Sequence, residues 1–109
     1  MAWLMREGEV LATVEVGETW GARLRGLLGR DELEGALLIR PARSVHTFGM
    51  RFPIDVAYCS RQLVVVDCAC MRPHRIGRPR PKAHCVIEAR AGAFERWGLG
   101  PGDQLEIKG

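Results

Sequence analysis

Hydrophobic and polar positions along the chain change period several times, and each change marks an element. Val10, Ala12, Val14 and Val16 alternate with Leu11, Thr13 and Glu15, the period of two that belongs to a β-strand. Leu4 to Arg6 precedes this run across Glu7-Gly8-Glu9, so the two are expected to form a hairpin. From Thr19 the spacing becomes helical: Trp20, Leu24, Leu27 and Leu28 recur at i, i+4, i+7 and i+8, while Arg23, Arg25 and Arg30 take the other side. Thr19 is placed to cap this amphipathic helix and Gly29 to end it. Gly21 and Gly26 each cost about 1 kcal/mol against Ala inside a helix, so close packing on a sheet is expected to compensate.

Beyond the acidic turn Asp31 to Glu34, Ala36-Leu37-Leu38-Ile39 reads as a short buried strand stopped by Arg40-Pro41. Ser44 to Pro53 has no period. Val56 to Cys59 and Leu63 to Cys70 are rich in β-formers, and Ser60-Arg61-Gln62 between them suits a three-residue hairpin connection. Met71 to Ala83 holds Pro73, Gly77, Pro79 and Pro81 and is expected to be a long exposed loop. Cys85 to Ala89 is a strand. Gly92 to Trp97 is a short helix that Gly98 can end, Gly100 to Asp103 is a turn, and Gln104 to Ile107 returns as a last strand with Leu105 and Ile107 inward. The pattern therefore predicts about six short strands and two helices, with no internal repeat or linker, in one domain spanning residues 1–109.

Length and composition agree with that count. A chain of 109 residues with 47% hydrophobic and 27% charged residues can bury one core. The longest apolar runs, Ala36 to Ile39 and Leu63 to Val66, fall far short of the roughly 18 residues of a membrane span. The start, Met1 to Arg6, lacks the pattern of a secretory signal, so a cytoplasmic, monomeric protein without a membrane partner is expected. Charge is more informative in its distribution than in its sum of +3: residues 36–87 hold nine cations against Asp55 and Asp67 alone. That basic middle favours an anionic partner.

The densest chemistry lies in the run Ser44 to Asp55, which offers a hydroxyl, an imidazole, a guanidinium and a carboxylate on irregular backbone. Ser44, His46, Thr47, Met50, Arg51 and Asp55 are its candidate ligand-binding residues. Arg51 could clamp an anion bidentately, and His46 beside Asp55 could act as an oriented base. The plainer alternative is that Asp55 bonds backbone amides while Phe48, Met50 and Phe52 fill the core. Arg72, Arg75, Arg78, Arg80 and Lys82 form a second candidate, an anion- or partner-binding loop. It contains no Phe, Tyr or Trp to stack a base, so weak or no nucleic-acid binding is expected. Cys68-x-Cys70 lies within a strand instead of a turn, so no metal site is expected and the cysteines, with Cys59 and Cys85, read as free core thiols. No cofactor motif is present, and no cofactor is expected.

Three segments carry a family resemblance: Arg25-Gly26-Leu27-Leu28-Gly29-Arg30, the run Ser44 to Val56 with its Phe48, Met50-Arg51 and Ile54-Asp55, and Gly100-Pro101-Gly102-Asp103-Gln104-Leu105-Glu106-Ile107. Together they resemble the domain of unknown function 192 (DUF192) family of small conserved prokaryotic proteins, from about Glu15 to Ile107. The resemblance implies a mainly β (α+β) fold, a compact β-sandwich or jelly-roll-like barrel with one amphipathic helix packed on it, which agrees with the strands and the short C-terminal helix read from the pattern. It implies no particular activity, and the family's pattern includes no cysteines at 68 and 70. The expected function is a small binding module for an anionic small ligand using Ser44 to Asp55. The alternatives are a small hydrolase or isomerase using His46 and Asp55, and an interaction protein using the Arg72 to Lys82 loop.

Overall fold

The computed structural model describes residues 2–17 and 35–109. Seven strands lie among them: β1 (Ala2–Arg6), β2 (Glu9–Gly17), β3 (Ala36–Ile39), β4 (Ile54–Cys59), β5 (Val65–Met71), β6 (Cys85–Arg90) and β7 (Glu106–Lys108), with one short helix, α1 (Ala93–Trp97). The helix expected from Thr19 to Gly29 and the acidic turn after it fall outside the described residues. The strands form one mixed sheet in the order β5-β4-β6-β3-β2-β1-β7. Only β2 and β3 run parallel; every other described neighbour is antiparallel. The architecture is the mainly β, sandwich-like one expected.

Local sequence explains most of these elements. The β1–β2 turn is two residues long, with Glu7 and Gly8 both at positive φ (50° and 81°), the primed geometry that matches strand twist. β3 and β4 are buried at every position, because neighbours flank them on both sides and both faces are covered. This explains why they read as continuous apolar runs. The β4–β5 connection is longer than the three residues expected. Leu63 takes positive φ (66°) and Ser60 N–H reaches Val64 O at 2.9 Å, so the turn runs through Val64. Gly98 ends α1 as expected, at φ 64°, a left-handed conformation that costs glycine little.

The sheet curls so that the start of β5 touches the segment just before β7, without closing into a barrel. Val64 bridges Gln104, Val65 N–H donates to Asp103 O and Leu105 N–H to Leu63 O, both at 2.9 Å. One apolar cluster fills the inside of this curl, with Leu4, Leu38, Ile87, Phe94 and Leu105. The other lies on the outer face of β3, β4 and β6, where Ile39, Ile54, Val56, Tyr58 and Val86 pack under Val45, Met50, Phe52 and Ala83 from the irregular segments. Among the described residues no helix is long and apolar enough to cross a membrane.

The loop from residue 72 to 82 is irregular and largely exposed, yet its backbone is not free. It runs beside residues 43–47 in a strand-like pairing, with Gly77 N–H to Val45 O at 2.7 Å, Thr47 N–H to Arg75 O at 2.8 Å and Arg80 N–H to Arg43 O at 2.9 Å. His46 and Ile76 form the bridge between the two segments. Two stretches that show no period in the sequence thus satisfy each other's polar groups above the outer core.

Candidate functional site

Thr47 ties the two segments together. It is fully buried, its hydroxyl donates to Arg72 O at 2.6 Å, and the same oxygen accepts from Arg75 N–H at 2.9 Å. His74 N–H donates to Thr47 O at 2.8 Å. The Thr47 side chain therefore fixes the backbone at Arg72 and Arg75, and its carbonyl holds His74 between them. Gly77 lies close against the core: a Cβ there would meet Tyr58 Oη at 2.8 Å and Val45 O at 3.0 Å.

Between this loop and β5 lies an open cavity of about 450 Å³ lined by Arg72, Arg75, Arg78 and Arg80, with Ala69, Met71, Ile76 and Tyr58 as its less polar wall. Among the described residues, none that lines it is a carboxylate. Arg80 is the most firmly held of the four: its Nε donates to Asp67 Oδ2 at 2.9 Å, its guanidinium carbon stands 4.1 Å from the centre of the Tyr58 ring, and Nη1 donates to Arg78 O. Among the described residues the Arg75 guanidinium bonds the carbonyls of Pro73 and His74, at 3.4 and 3.3 Å. Among the described residues the guanidiniums of Arg72 and Arg78 meet no acceptor. Asp67 binds Arg80 and also feels the Arg78 charge, so among the described residues the four arginines of this hollow outnumber the carboxylate beside them. The Arg80 hydrogen bond, with the Cys68 amide, holds the Asp67 carboxyl below its usual range.

Tyr58 is fully buried, and its Oη has no hydrogen-bond partner among the described residues. The Arg80 guanidinium stacks on the ring face. Burial pushes the Tyr58 phenol up, and the Arg80 charge opposes that while Asp67 and Glu88 add to it. The hydroxyl is therefore protonated at neutral pH.

The other expected residues distribute differently. Ser44 is half-buried, Met50 is in the outer core and Arg51 is exposed. The His46 ring lies 5.5 Å from that of Phe48, which is half exposed. Asp55 is buried on β4, on the face opposite Val56, and its Oδ2 accepts the backbone N–H groups of Gly92 at 2.9 Å and Phe94 at 3.1 Å. It caps α1 from a neighbouring strand. It also lines a separate cavity of about 390 Å³ with Cys68, Cys70 and Glu95. Lys82 belongs to a third hollow, beside Val66, Asp67 and Pro81.

All four cysteines are free thiols, but only Cys59 and Cys85 are core residues. Cys68 is half-buried and Cys70 exposed, because β5 is the edge of the sheet and one flank of it is open. The hydrogen bond to Cys85 and burial push the Cys59 thiol up, and burial, reinforced by Asp67 and Asp55, pushes Cys68 up to about 11. No group of three metal-ligating side chains occurs among the described residues.

Tyr58, Asp67 and Glu88 were missed by sequence reasoning. Tyr58 occupies a core position in an alternating strand, which hides any other use. Glu88 is fully buried; a single acid between Ile87 and Ala89 in an otherwise apolar strand was a readable signal.

Comparison with known proteins places these features in a wider group. The DUF192 family model, described as an uncharacterized ACR, matches residues 2–107. A UPF0127 protein of Pyrococcus furiosus is 28% identical over 103 residues, covering 90% of this chain and 89% of the relative. Another, of Thermococcus gammatolerans, is 32% identical over 98 residues, covering 84% and 64%. Among solved structures, a candidate transcription regulator of Sinorhizobium meliloti superposes with a TM-score of 0.80 at 22% identity, over 97% of this chain and 91% of that one. A protein of unknown function from Novosphingobium aromaticivorans does so with a TM-score of 0.76 at 19% identity, over 96% and 82%. At these identities the structures speak for the fold, and the family model for descent: the chain belongs to the DUF192 family.

Proposed function

We propose that this chain is a binding module for a small anionic ligand, taken up in the cavity between the basic loop and β5. The observation that carries this reading is the convergence of Arg72, Arg75, Arg78 and Arg80 on one hollow that, among the described residues, no carboxylate lines. Isolated surface arginines point apart into water. Here Thr47 holds the backbone of Arg72 and Arg75, and Asp67 with Tyr58 holds Arg80, so less ordering entropy is lost when an anion arrives. The Ser44 to Asp55 segment then acts as a frame through Thr47, not as the ligand face. Guanidiniums suit oxyanions because their planar forks donate in pairs.

The description of the Sinorhizobium meliloti protein as a candidate regulator raises nucleic acid as a partner. A concave site, a loop without aromatic residues and a Tyr58 ring already covered by Arg80 favour a small ligand instead. The test is calorimetric titration with inorganic phosphate and with a single-stranded RNA, at low and moderate salt, for the wild type and an Arg72→Ala/Arg78→Ala variant. Phosphate binding that disappears in the variant is expected, as is RNA binding that is weak and lost with salt. Absence of phosphate binding, or a salt-resistant submicromolar RNA complex, overturns the reading.

A further inference from the structure

The cavity is not uniformly polar, and its apolar side is exposed where an isolated loop residue would gain nothing from it. Ile76 lines the cavity and is 72% exposed, the most exposed large apolar side chain among the described residues. Its bridge partner is His46, whose ring lies 5.5 Å from Phe48, itself 48% exposed. A strip Ile76, His46, Phe48 therefore leads away from the mouth of a hollow whose inner wall includes Met71 and Ala69. Large apolar groups grouped on a surface beside a polar site are the usual mark of a contact to be made. Four arginines line the same hollow and, among the described residues, only Asp67 lies against them, an excess of positive charge that suits a ligand with more than one negative charge.

We infer that the ligand is a phosphate monoester with an apolar body, its phosphate held by Arg72, Arg75 and Arg78 and its body laid on Ile76 and toward Phe48. This rests on the anion-binding reading above and goes beyond it in two respects, charge number and the apolar part. A phosphate monoester carries close to two charges at neutral pH and has three oxygens free to accept from separate guanidiniums. A carboxylate offers one charge and two oxygens in one plane, which a single arginine fork satisfies. Arg80, already bound to Asp67, contributes a fixed wall more than a mobile clamp.

The probes are inorganic phosphate, phenyl phosphate, phenyl sulfate and benzoate, titrated calorimetrically at one pH and salt. Covering Ile76 with a ring buries apolar surface on both partners, so phenyl phosphate is expected to bind roughly tenfold more tightly than inorganic phosphate. Phenyl sulfate, tetrahedral but singly charged, and benzoate are expected to bind more weakly than phenyl phosphate. Ile76→Ala is expected to remove most of the phenyl phosphate advantage while leaving inorganic phosphate unchanged. Since Ile76 is exposed, that variant folds as the wild type does. Vesicles containing phosphatidic acid distinguish the sources of the same chemistry: co-sedimentation assigns the monoester to a lipid headgroup, and its absence assigns it to a free small molecule. Equal affinity for phenyl sulfate, or an Ile76→Ala variant that binds phenyl phosphate as tightly as before, overturns the inference while anion binding stands. Loss of binding to every probe overturns both.

Discussion

Asp55 tests most directly whether the Ser44 to Asp55 run is framework or reactive centre. Its carboxylate lies on β4 with 7% exposure, and one oxygen, Oδ2, accepts the amides of Gly92 and Phe94 at the start of α1. Gly92 is the N-cap and Phe94 lies in the first turn of a five-residue helix whose N-cap supplies no side-chain hydrogen bond of its own. Hydrogen bonds to a charged acceptor contribute about 1.5 to 3 kcal/mol each, but two that share one oxygen do not add in full. In Asp55→Asn the amide oxygen can still accept from both N–H groups with the NH2 in the place of Oδ1, so what is lost is the charge on the acceptor, and a loss of about 1 to 3 kcal/mol is expected. For a domain of this size that lowers Tm by roughly 4 to 12 °C. Urea melts followed by circular dichroism measure it, with an unchanged m-value showing that the same surface is exposed. Asp55 lies outside the basic cavity, so the variant is expected to bind inorganic phosphate as the wild type does. If Asp55 instead orients His46 for catalysis, the pattern inverts: stability within about 0.5 kcal/mol of wild type, as for neutral surface changes, with the ligand response abolished. That result would refute the framework argument.

Three further outcomes follow from the geometry. Tyr58→Phe removes a buried hydroxyl that has no partner among the described residues while keeping the ring under Arg80; it is expected to raise stability by about 1 kcal/mol in urea melts, and a comparable loss would reveal a hydrogen bond that the hydroxyl makes. Gly77→Ala drives a Cβ to 2.8 Å from Tyr58 Oη and 3.0 Å from Val45 O; a loss of about 1 to 3 kcal/mol and weakened phosphate binding are expected, and a neutral effect would mean that the loop is not pinned there. In native protein Cys70 is expected to react first with an alkylating agent, with Cys59 and Cys85 reacting only after unfolding, as read by mass spectrometry. Because Cys68 is raised from 9.0 to about 11, its folded thiol stays neutral where the unfolded one ionises, so its contribution to stability is present below about pH 9 and is lost as pH rises toward 11.

The elements that sequence made legible are those whose information is local. The hairpin around Glu7-Gly8, β3 before Pro41, and α1 between Gly92 and Gly98 each need only a period and a turn residue, and each lies where the pattern predicts. Asp55 is intermediate. Its apolar neighbours Ile54 and Val56 signal burial, but the amides it caps lie 37 and 39 residues away and leave no trace in any window around it. The expected core role of Cys70 failed for the same kind of reason, since edge or centre in a sheet depends on strand order, which periodicity does not carry.

The basic loop shows how far that limit reaches. Its prolines, glycine and cations correctly predict irregular, exposed chain, and from composition alone a solvated loop follows. What turns it into a site is Thr47, 25 and 28 residues upstream, whose one hydroxyl serves both Arg72 and Arg75. A threonine in an irregular segment reads as an ordinary turn residue. Only when Val45 and Thr47 pair with Gly77 and Arg75 does the loop acquire a fixed backbone, and only then do Arg72, Arg75 and Arg78 surround one volume instead of three separate patches of solvent. Charge composition was visible in the sequence, whereas charge geometry arose from long-range backbone pairing. Affinity for an anion depends on the second, because a loop whose backbone is already fixed has less ordering left to lose on binding than a mobile one.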